Sequence, residues 1–528
     1  TILYSYSTNN SKTYALWSTN TKNHPKDDDN NSPKNENHTV RSIKGIRPRR
    51  NKIYVIGAGV AGICSAYELS KRDNDLCYDV VIIDAASSSG AECSAVAAGG
   101  MQMSHPVINA SSWKGILSNL FASKKNNDFR YFHIDWSQTL FDPHFLRWFL
   151  SFAYHSLIQP QPATLREEML KFTAWSVQQF DQLPTTIKNE SKIAARGALA
   201  LNKKRYDGNS DNNNYCMERD VQVLTSRDEI LTLEPFVGKW LPETQHALYY
   251  PNASNGSSEL FTKSLARMLE TKTKNSSAVR FLYQTRVKQI HHEGKRVTRI
   301  ELFAENKNNQ PMTIELEDGD EIVIAAGSWT PRLMWQLNEY VPVYPLKGYC
   351  LEIPISEKQS NNTNNIKTGF LNDGVMYFSK LGDVMRIASV GEFAGWDTKP
   401  TEHVNRLFRN YIEELLGIQL SSSIPTRCGL RPMSSDGAVI AGRINGWENL
   451  SINMGPGSTG WKVCLGAAKV LANDIIVKND DNEFDGSSNS TTTQQQEVFP
   501  FDPNVLSPNG RVVSTSVFWS KLCLWRHA

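Results

Sequence analysis

Apolar residues along the chain form two kinds of pattern, and their order predicts a mixed α/β protein. Residues 53–56 and 80–83 are short continuous apolar runs, which are typical of buried strands in a parallel sheet. In residues 143–154, 163–183 and 258–269, apolar positions recur every three or four residues. This spacing predicts amphipathic helices between the first strands and the rest of the fold.

Beyond residue 278 the pattern becomes rich in strands. Further strands are expected at 279–283, 286–291, 297–303 and 312–316, and an apolar helix at 463–477. A run at 321–326 ends on Gly327, as a buried parallel strand does where a ligand site follows. Alternating short strands between 344 and 395 predict an antiparallel sheet, followed by a helix over 402–416. The predicted fold class is therefore α/β, with a Rossmann-like domain and a second α+β domain on an antiparallel sheet.

The two ends of the chain and three internal tracts have a different composition. Residues 1–50 are rich in Ser, Thr and Asn, which predicts a disordered segment, either a plain tail or the remnant of an organelle-targeting segment. Because the chain begins with Thr1, we expect a fragment or a processed form. The Asn- and Ser-rich tracts at 207–214, 359–365 and 479–496 are expected to be surface loops. Residues 500–528 form a predicted C-terminal tail, after a low-complexity loop over 479–499.

The most informative motif lies in the first strand–helix–strand unit. Gly57-Ala58-Gly59-Val60-Ala61-Gly62 follows the first strand, and Asp84 ends the second strand about 20 residues later. In such a motif, Gly57 permits a tight turn, Gly59 lets the backbone approach a pyrophosphate, and Gly62 lets the helix pack closely on the strand. Asp84 is placed to bond a ribose hydroxyl, and the helix N-terminus favours the pyrophosphate. The unit therefore predicts dinucleotide binding.

A second glycine-rich turn occurs near the other end of the chain. Gly455-Pro456-Gly457-Ser458-Thr459-Gly460 separates an apolar strand from an apolar helix. Such a turn can bring another helix N-terminus to the same ligand. We therefore expect the cofactor site to be completed from both ends of the chain.

Charge and cysteine content exclude several function classes. A net charge of +3 over 528 residues is too small to indicate nucleic-acid binding. The eight cysteines contain no CxxC pair, so we predict neither a metal site nor a disulfide scaffold. The predicted location is a reducing intracellular compartment, either the cytoplasm or an organelle such as a mitochondrion or plastid. No apolar run reaches the ~18 residues of a spanning helix. Membrane contact is expected at most to be peripheral, near Trp148.

Several motifs in a fixed order resemble the D-amino-acid oxidase superfamily of FAD-dependent oxidoreductases, and most closely its D-amino-acid dehydrogenase small-subunit branch. The resemblance covers about residues 52 to 477. Besides the two glycine turns and Asp84, its landmarks are Ala91-Glu92-Cys93-Ser94, Ala98-Gly99-Gly100-Met101-Gln102, Leu233-Glu234-Pro235, Ala326-Gly327-Ser328-Trp329, Tyr344-Pro345-Leu346-Lys347-Gly348-Tyr349 and Gly429-Leu430-Arg431-Pro432.

The resemblance implies a bound FAD, held without a covalent bond, between two domains. The Rossmann-like FAD-binding domain would comprise residues 51–110, 245–330 and 425–478, and the substrate domain residues 111–244 and 331–424. By position, the residues implied to contact FAD are Gly57, Ala58, Gly59, Val60, Ala61, Gly62, Asp84, Ser94, Gly99, Gly100, Met101, Val287, Ala326, Gly327, Gly455, Gly457, Thr459 and Gly460. One departure is Pro456, where the family often has His. Since proline has no N–H, hydrogen bonding to the flavin is expected to differ there.

Arg431 is the residue that the resemblance implies for substrate recognition, because the family uses this arginine to bind an amino-acid carboxylate. Tyr349 and Tyr377 are further candidates for the catalytic site, and each either bonds the same carboxylate or packs in the core with a satisfied hydroxyl. Cys428 lies one residue out of register with the flavin-attaching cysteine of some relatives, so we interpret it as a buried thiol.

The predicted activity is the FAD-dependent oxidative deamination of an amino acid, foremost a D-amino acid, by hydride transfer to the flavin. A secondary-amine oxidase or dehydrogenase for sarcosine, dimethylglycine or proline-like substrates is the alternative. A third hypothesis is an inactive flavoprotein subunit. The expected partners are an amino-acid substrate and an electron acceptor, either oxygen or a quinone or carrier, with no nucleic acid.

Overall fold

The computed structural model describes residues 50–71, 78–101, 132–155, 163–195, 197–202, 221–239, 244–271, 279–304, 311–355, 368–371, 376–483 and 498–515. All of them belong to the unit Arg50–Ala528. The predicted disordered segment up to residue 49, the tracts at 207–214 and 359–365, and most of the tract at 479–496 lie outside the described residues.

A six-stranded sheet contains both predicted strands of the glycine motif. Its strands, numbered in chain order along the protein, are β1 (Lys52–Ile56), β2 (Asp79–Ile83), β10 (Val279–Leu282), β14 (Glu321–Ile324), β21 (Ile440–Arg443) and β22 (Leu450–Met454). The order is β10-β2-β1-β14-β22-β21, and every pairing is parallel except that of β21 with β22. This is the predicted Rossmann-like sheet, because consecutive apolar strands with helical crossovers pair in parallel.

Helices and a small sheet cover the two faces of this sheet. Helices α1 (Val60–Ser70), α7 (Ser258–Thr271) and α10 (Gly460–Glu483) contribute to one buried apolar cluster with the strands. Strands β11 (Thr285–Glu293), β12 (Arg296–Ala304) and β13 (Pro311–Glu315) form an antiparallel sheet that contributes to the cluster on the other face. The central strands are therefore buried on both faces, as their continuous apolar runs predict.

A larger, nine-stranded sheet forms the second layer. Its strands are β4 (Phe132–Ile134), β6 (Ala198–Asn202), β7 (Gln222–Leu224), β8 (His246–Tyr250), β16 (Val343–Pro354), β17 (Thr368–Leu371), β18 (Met376–Leu381), β19 (Val384–Phe393) and β20 (Arg427–Ser434). The pairings are antiparallel except β6 with β17 and β4 with β19, so the predicted antiparallel sheet is mixed at two positions. Strands β8 and β20 lie in this sheet, although both segments were expected in the FAD-binding domain.

Helix α9 (Glu402–Leu416) has the bounds that its amphipathic pattern predicts. It ends because Gly417 adopts a left-handed conformation (φ 61°), which continues no helix. Its buried residues join one face of the nine-stranded sheet. The remaining elements are α2 (Trp136–Thr139), α3 (Pro143–Ala153), α4 (Ala163–Gln178), α5 (Thr185–Glu190), α6 (Arg227–Leu233), α8 (Thr330–Trp335), β3 (Gly100–Met101), β5 (Ala194–Ala195), β9 (Ser254–Asn255), β15 (Glu339–Tyr340) and β23 (Val513–Ser514). Among the helices described, none is both long and apolar enough to cross a bilayer.

Candidate cofactor and substrate site

Three neighbouring parallel strands each lead into a glycine at the same edge of the six-stranded sheet. Strand β1 leads to Gly57, β14 to Gly327 and β22 to Gly455. All three glycines have positive φ angles, 113°, 52° and 80°, which residues with a Cβ rarely adopt. The carboxyl edge of such a sheet is where α/β proteins bind ligands, so the structure brings both predicted glycine turns to one place.

Two of the three glycines of the first turn are required by close packing, and the third is not. A Cβ on Gly57 would lie 2.5 Å from the carbonyl oxygen of Ala325, and a Cβ on Gly62 would lie 1.9 Å from that of Gly57. At Gly59 the first protein atom that a Cβ would meet is the Ser94 hydroxyl, at 3.5 Å. Gly57 and Gly62 thus let the strand, turn and helix pack, whereas Gly59 leaves space at the helix N-terminus for a phosphate group.

Asp84 braces the first turn in this structure. One carboxylate oxygen accepts a hydrogen bond from the backbone N–H of Ala58 at 2.5 Å, and the other accepts one from Ala86 at 2.7 Å. Burial raises the pKa of Asp84, while these two N–H groups act in the opposite direction. Asp84 lies where the motif predicts, at the end of β2. Its contact with a ribose remains a prediction.

The segment from Ser94 to Met101 lies between the two large sheets. The Ser94 hydroxyl accepts a hydrogen bond from the N–H of Val60 at 3.0 Å, which ties the segment to helix α1. From the nine-stranded sheet, the Ser379 hydroxyl donates to the carbonyl of Ala98 and Arg386 donates to that of Ala97, both at 2.7 Å. The segment continues through Gly99 (φ 99°) into β3, which holds Gly100 and Met101. Sequence reasoning missed Ser379 and Arg386, because neither lies in a recognised motif.

The second glycine turn lies against strand β20. Pro456 forms an isolated β-bridge with Met433, and a Cβ on Gly457 would lie 3.0 Å from the Met433 sulfur. The carbonyl of Pro456 accepts hydrogen bonds from the N–H and the hydroxyl of Thr459, at 2.9 and 2.7 Å. Helix α10 begins directly afterwards at Gly460. The turn is therefore held without an N–H at position 456.

The loop after β14 links the same edge to β20. The carbonyl of Ala326 accepts a hydrogen bond from the N–H of Trp329, and the Ser328 hydroxyl donates to the carbonyl of Leu430 at 2.9 Å. Val287 lies on β11, paired with Leu302, and packs on the core at the other face of the six-stranded sheet. The structure thus brings Ala326 and Gly327 to the glycine turns, whereas Val287 lies two residues after Thr285, whose N–H donates to the carbonyl of Asp84.

Arg431 lies on β20 with its guanidinium above Gly348 of β16, where a Cβ would be 2.5 Å from the guanidinium carbon. Its Nη1 donates a hydrogen bond to the carbonyl of Val390 at 2.9 Å. Burial lowers the pKa of Arg431, and the ionisable groups acting on it are three thiols, those of Cys93, Cys350 and Cys428. In the described part of the chain no carboxylate pairs with Arg431. A half-buried guanidinium with one carbonyl partner among the described residues suits a carboxylate ligand.

Tyr377 lies on the same face of the nine-stranded sheet as Arg431. It is paired with Ala388, which is paired with Cys350, and directly paired residues point to one face. Cys350 is two residues from Gly348, so it shares the face over which the Arg431 guanidinium lies. Burial raises the pKa of the Tyr377 hydroxyl. Tyr377 therefore remains a candidate for the site.

Tyr349 points to the opposite face of this sheet, because neighbouring residues of a strand alternate. Its hydroxyl donates to a carboxylate oxygen of Glu392 at 2.6 Å and accepts a hydrogen bond from the N–H of Thr401 at 3.0 Å. Its ring packs against Phe408 of helix α9. Of the two interpretations of Tyr349, the structure supports core packing with a satisfied hydroxyl and does not bring this residue to Arg431.

Cys428 is paired with Tyr349 and shares its face, away from Arg431 and the glycine turns. Burial raises the pKa of its thiol to about 12. The thiol is partly and not fully buried, and it packs against the apolar core on that face.

The residues gathered at the sheet edge fit a dinucleotide such as FAD. Two helix N-termini, those of α1 and α10, open there after glycine turns, and Gly59 leaves a gap in front of one of them. The face of the nine-stranded sheet that carries Arg431 reaches the same region through the bonds of Ser379 and Arg386 to Ala98 and Ala97. The segment from Ser94 to Met101 therefore connects the glycine turns with the sheet face that carries Arg431.

Comparison with known proteins agrees with this geometry. The model of the family described as "FAD dependent oxidoreductase" matches residues 52–473. Among curated proteins, D-amino acid dehydrogenase 2 of Mesorhizobium japonicum is 27% identical over 428 residues, covering 80% of this chain and 95% of its own. D-amino acid dehydrogenase of Agrobacterium fabrum is 26% identical, covering 81% of this chain and 96% of its own.

Solved structures with the same fold include a glycine oxidase from Bacillus cereus, with a TM-score of 0.53, 19% identity, and coverage of 81% of this chain and 95% of that one. An L-proline dehydrogenase from P. horikoshii has a TM-score of 0.58 at 15% identity, covering 88% and 98%. At these identities the likeness establishes the fold.

Proposed function

Because the chain belongs to the family of FAD-dependent oxidoreductases whose model spans residues 52–473, we propose that it oxidises a D-amino acid to the imino acid, which water hydrolyses to a keto acid and ammonia. The observation that carries the proposal is Arg431, a half-buried guanidinium that lies on the sheet face bonded to the Ala97–Ala98 segment and pairs with no carboxylate of the described residues. The choice of a D-amino acid follows the similarity to proteins named D-amino acid dehydrogenases.

Arg431 binds the substrate carboxylate through its free N–H groups, since a guanidinium and a carboxylate form two parallel hydrogen bonds. Nη1 already donates to Val390, so the carbonyl limits how far the guanidinium can rotate. Holding the carboxylate fixes the direction of the Cα–H bond. In a reaction that needs no proton transfer by a side chain, this orientation accounts for much of the rate enhancement. When bound, FAD supplies the acceptor of the two electrons.

The surroundings of Arg431 strengthen this interaction. Partial burial reduces competition from water, so the charge of the guanidinium is screened less than at a fully exposed position. Tyr377 lies on the same face and offers a hydroxyl to the same carboxylate. The N-terminus of helix α10 favours negative charge at the end of the site formed by the second glycine turn.

The test is anaerobic mixing of the purified flavoprotein with D-amino acids, L-amino acids and N-methyl amino acids, while the flavin absorbance is followed. We expect bleaching by D-amino acids. Bleaching by N-methyl amino acids alone would indicate a secondary-amine enzyme instead, and no bleaching by any of them would indicate an inactive flavoprotein subunit. Repeating the turnover with oxygen or with a soluble quinone then identifies the electron acceptor.

Arg431→Ala should raise KM strongly while the flavin stays bound, because it removes the carboxylate anchor and no cofactor contact. Arg431→Lys is the matched control, since lysine keeps the charge but not the paired geometry, and it should fall between the wild type and alanine. An unchanged KM in Arg431→Ala would exclude Arg431 from the substrate site.

A further inference from the structure

On the face of the nine-stranded sheet opposite to Arg431, two charged side chains are fully buried. Lys347 on β16 is 0% exposed and Glu392 on β19 is 1% exposed. Lys347 Nζ lies 3.3 Å from Glu392 Oε2 and 3.1 Å from Oδ2 of Asp397, a carboxylate that is about half exposed. The same carboxylate oxygen accepts hydrogen bonds from the hydroxyls of Tyr349, at 2.6 Å, and Thr401, at 3.0 Å. Buried ion pairs often contribute little net stability, so this pair calls for another explanation.

The pair closes a β-bulge in β19. Lys347 is paired with Glu392, but Tyr349, two residues further along β16, is paired with Ser389. Strand β19 therefore has one extra residue between these two pairings. Within the bulge, Val390 has a φ of 59°, a left-handed conformation that is unfavourable for a β-branched residue. Such outliers persist only where the surroundings hold them.

The bulge turns the side chains of two successive residues, Ser389 and Val390, to the face that carries Tyr349. Val390 is 3% exposed and packs in the apolar core beneath helix α9, with Tyr349 and Phe408. Its carbonyl is then left on the other face, where it accepts the hydrogen bond from Arg431 Nη1 at 2.9 Å. One distorted residue thus connects the buried ion pair on one face with the guanidinium on the other.

We propose that the buried Lys347–Glu392 pair is a positioning device, which holds the β19 bulge so that the carbonyl of Val390 aims Arg431 at the substrate carboxylate. This proposal rests on the proposed function of Arg431. Glu392 and Lys347 contact neither substrate nor cofactor in this account and act only through the bulge. Without them, β19 can return to regular pairing, which removes the only hydrogen-bond acceptor that the described residues give to Arg431.

The test compares Glu392→Gln and the double variant Lys347→Met/Glu392→Met with the wild-type holoenzyme. Glutamine keeps an acceptor for Tyr349 and leaves Lys347 its contact with Asp397, whereas the paired methionines avoid an isolated buried charge, so both variants are designed to fold. Ile387→Val is the matched control, because it lies on the same strand and in the same core but outside the bulge. The readouts are the dissociation constant of benzoate, a probe carboxylate without an amine, from flavin absorbance, and KM and kcat for the D-amino acid that bleaches the flavin fastest.

We expect the benzoate dissociation constant and KM to rise about threefold in Glu392→Gln and about tenfold, equivalent to about 1.4 kcal/mol, in the double variant. They should stay within a factor of two of wild type in Ile387→Val, and kcat should change less than KM in all variants. Wild-type benzoate binding in both test variants, with Arg431→Ala abolishing it, would overturn the positioning role alone. Wild-type binding in Arg431→Ala itself would overturn the proposed function.

Discussion

The two glycines at the start of helix α1 should respond differently to alanine, because their surroundings differ. A Cβ on Gly62 would lie 1.9 Å from the Gly57 carbonyl oxygen, so helix and turn must separate to accommodate it. Overpacking of this kind costs about 1–3 kcal/mol of folding free energy. Gly59→Ala meets only the Ser94 hydroxyl, at 3.5 Å, and the φ of −71° at this position suits alanine. Gly59→Ala should therefore destabilise the apoprotein less than Gly62→Ala does, by no more than the loss of a glycine N-cap.

FAD binding should respond to the two substitutions in the opposite order, with the larger effect in Gly59→Ala. The methyl group of Gly59→Ala lies in the space that the pyrophosphate needs, so the dissociation constant of FAD should rise at least tenfold. Urea unfolding of the apoprotein gives the stability, and quenching of flavin fluorescence on titration gives the dissociation constant. If Gly59→Ala binds FAD as the wild type does, or if apo Gly62→Ala unfolds at the wild-type urea concentration, the assignment of these roles is refuted.

Three further predictions follow from the geometry. Val390→Ala should be about 1 kcal/mol less stable to urea than Val390→Gly, because only glycine tolerates the φ of 59° without cost. The usual order, in which the alanine variant is the more stable one, would contradict a fixed bulge. Burial raises the pKa of Glu259, but Lys263 and Arg427 outweigh it and hold this pKa below its ordinary value of 4.5. Because its folded pKa is depressed, its contribution to stability is complete above pH 4.5 and is lost as the pH falls through the folded pKa. Thermal melts between pH 3 and 6 should therefore show a smaller acid-dependent loss in Glu259→Gln than in wild type, and parallel curves would contradict this. Acid precipitation should release all of the flavin into the supernatant, since Cys428 faces away from the site, and yellow colour retained in the pellet would refute non-covalent binding.

The parts of the fold that sequence reasoning predicted are those with local causes. The turn from Gly57 to Gly62 follows from strand and helix patterns on either side, and Asp84 follows from the end of the next strand. Helix α9 has its predicted bounds because its apolar positions repeat regularly up to Gly417. Each of these features follows from residues that lie close to it in the sequence.

The parts that could not be predicted depend on contacts between distant segments. Every residue from Val343 to Leu351 on β16 is buried, so the strand shows no alternation that would tell which face Tyr349 takes. The membership of β8 and β20 in the nine-stranded sheet depends on pairings with remote strands. The bulge at Val390 was not predicted: Gly391 directly after it is a residue type that often marks a bulge, but the position and direction of the distortion depend on pairing with β16. The placement of Arg431 relative to both faces required the structure.

The three strands that end at glycines also determine when the site can form during synthesis. Strands β1, β14 and β22 are neighbours in the sheet, but they end at Ile56, Ile324 and Met454 of the chain. Domains fold as their segments emerge from the ribosome, and pairing of distant segments is slow. The first glycine turn and its neighbour β2 are therefore synthesised long before the glycines that follow β14 and β22. We therefore expect FAD uptake to occur late, after β22 has joined the six-stranded sheet.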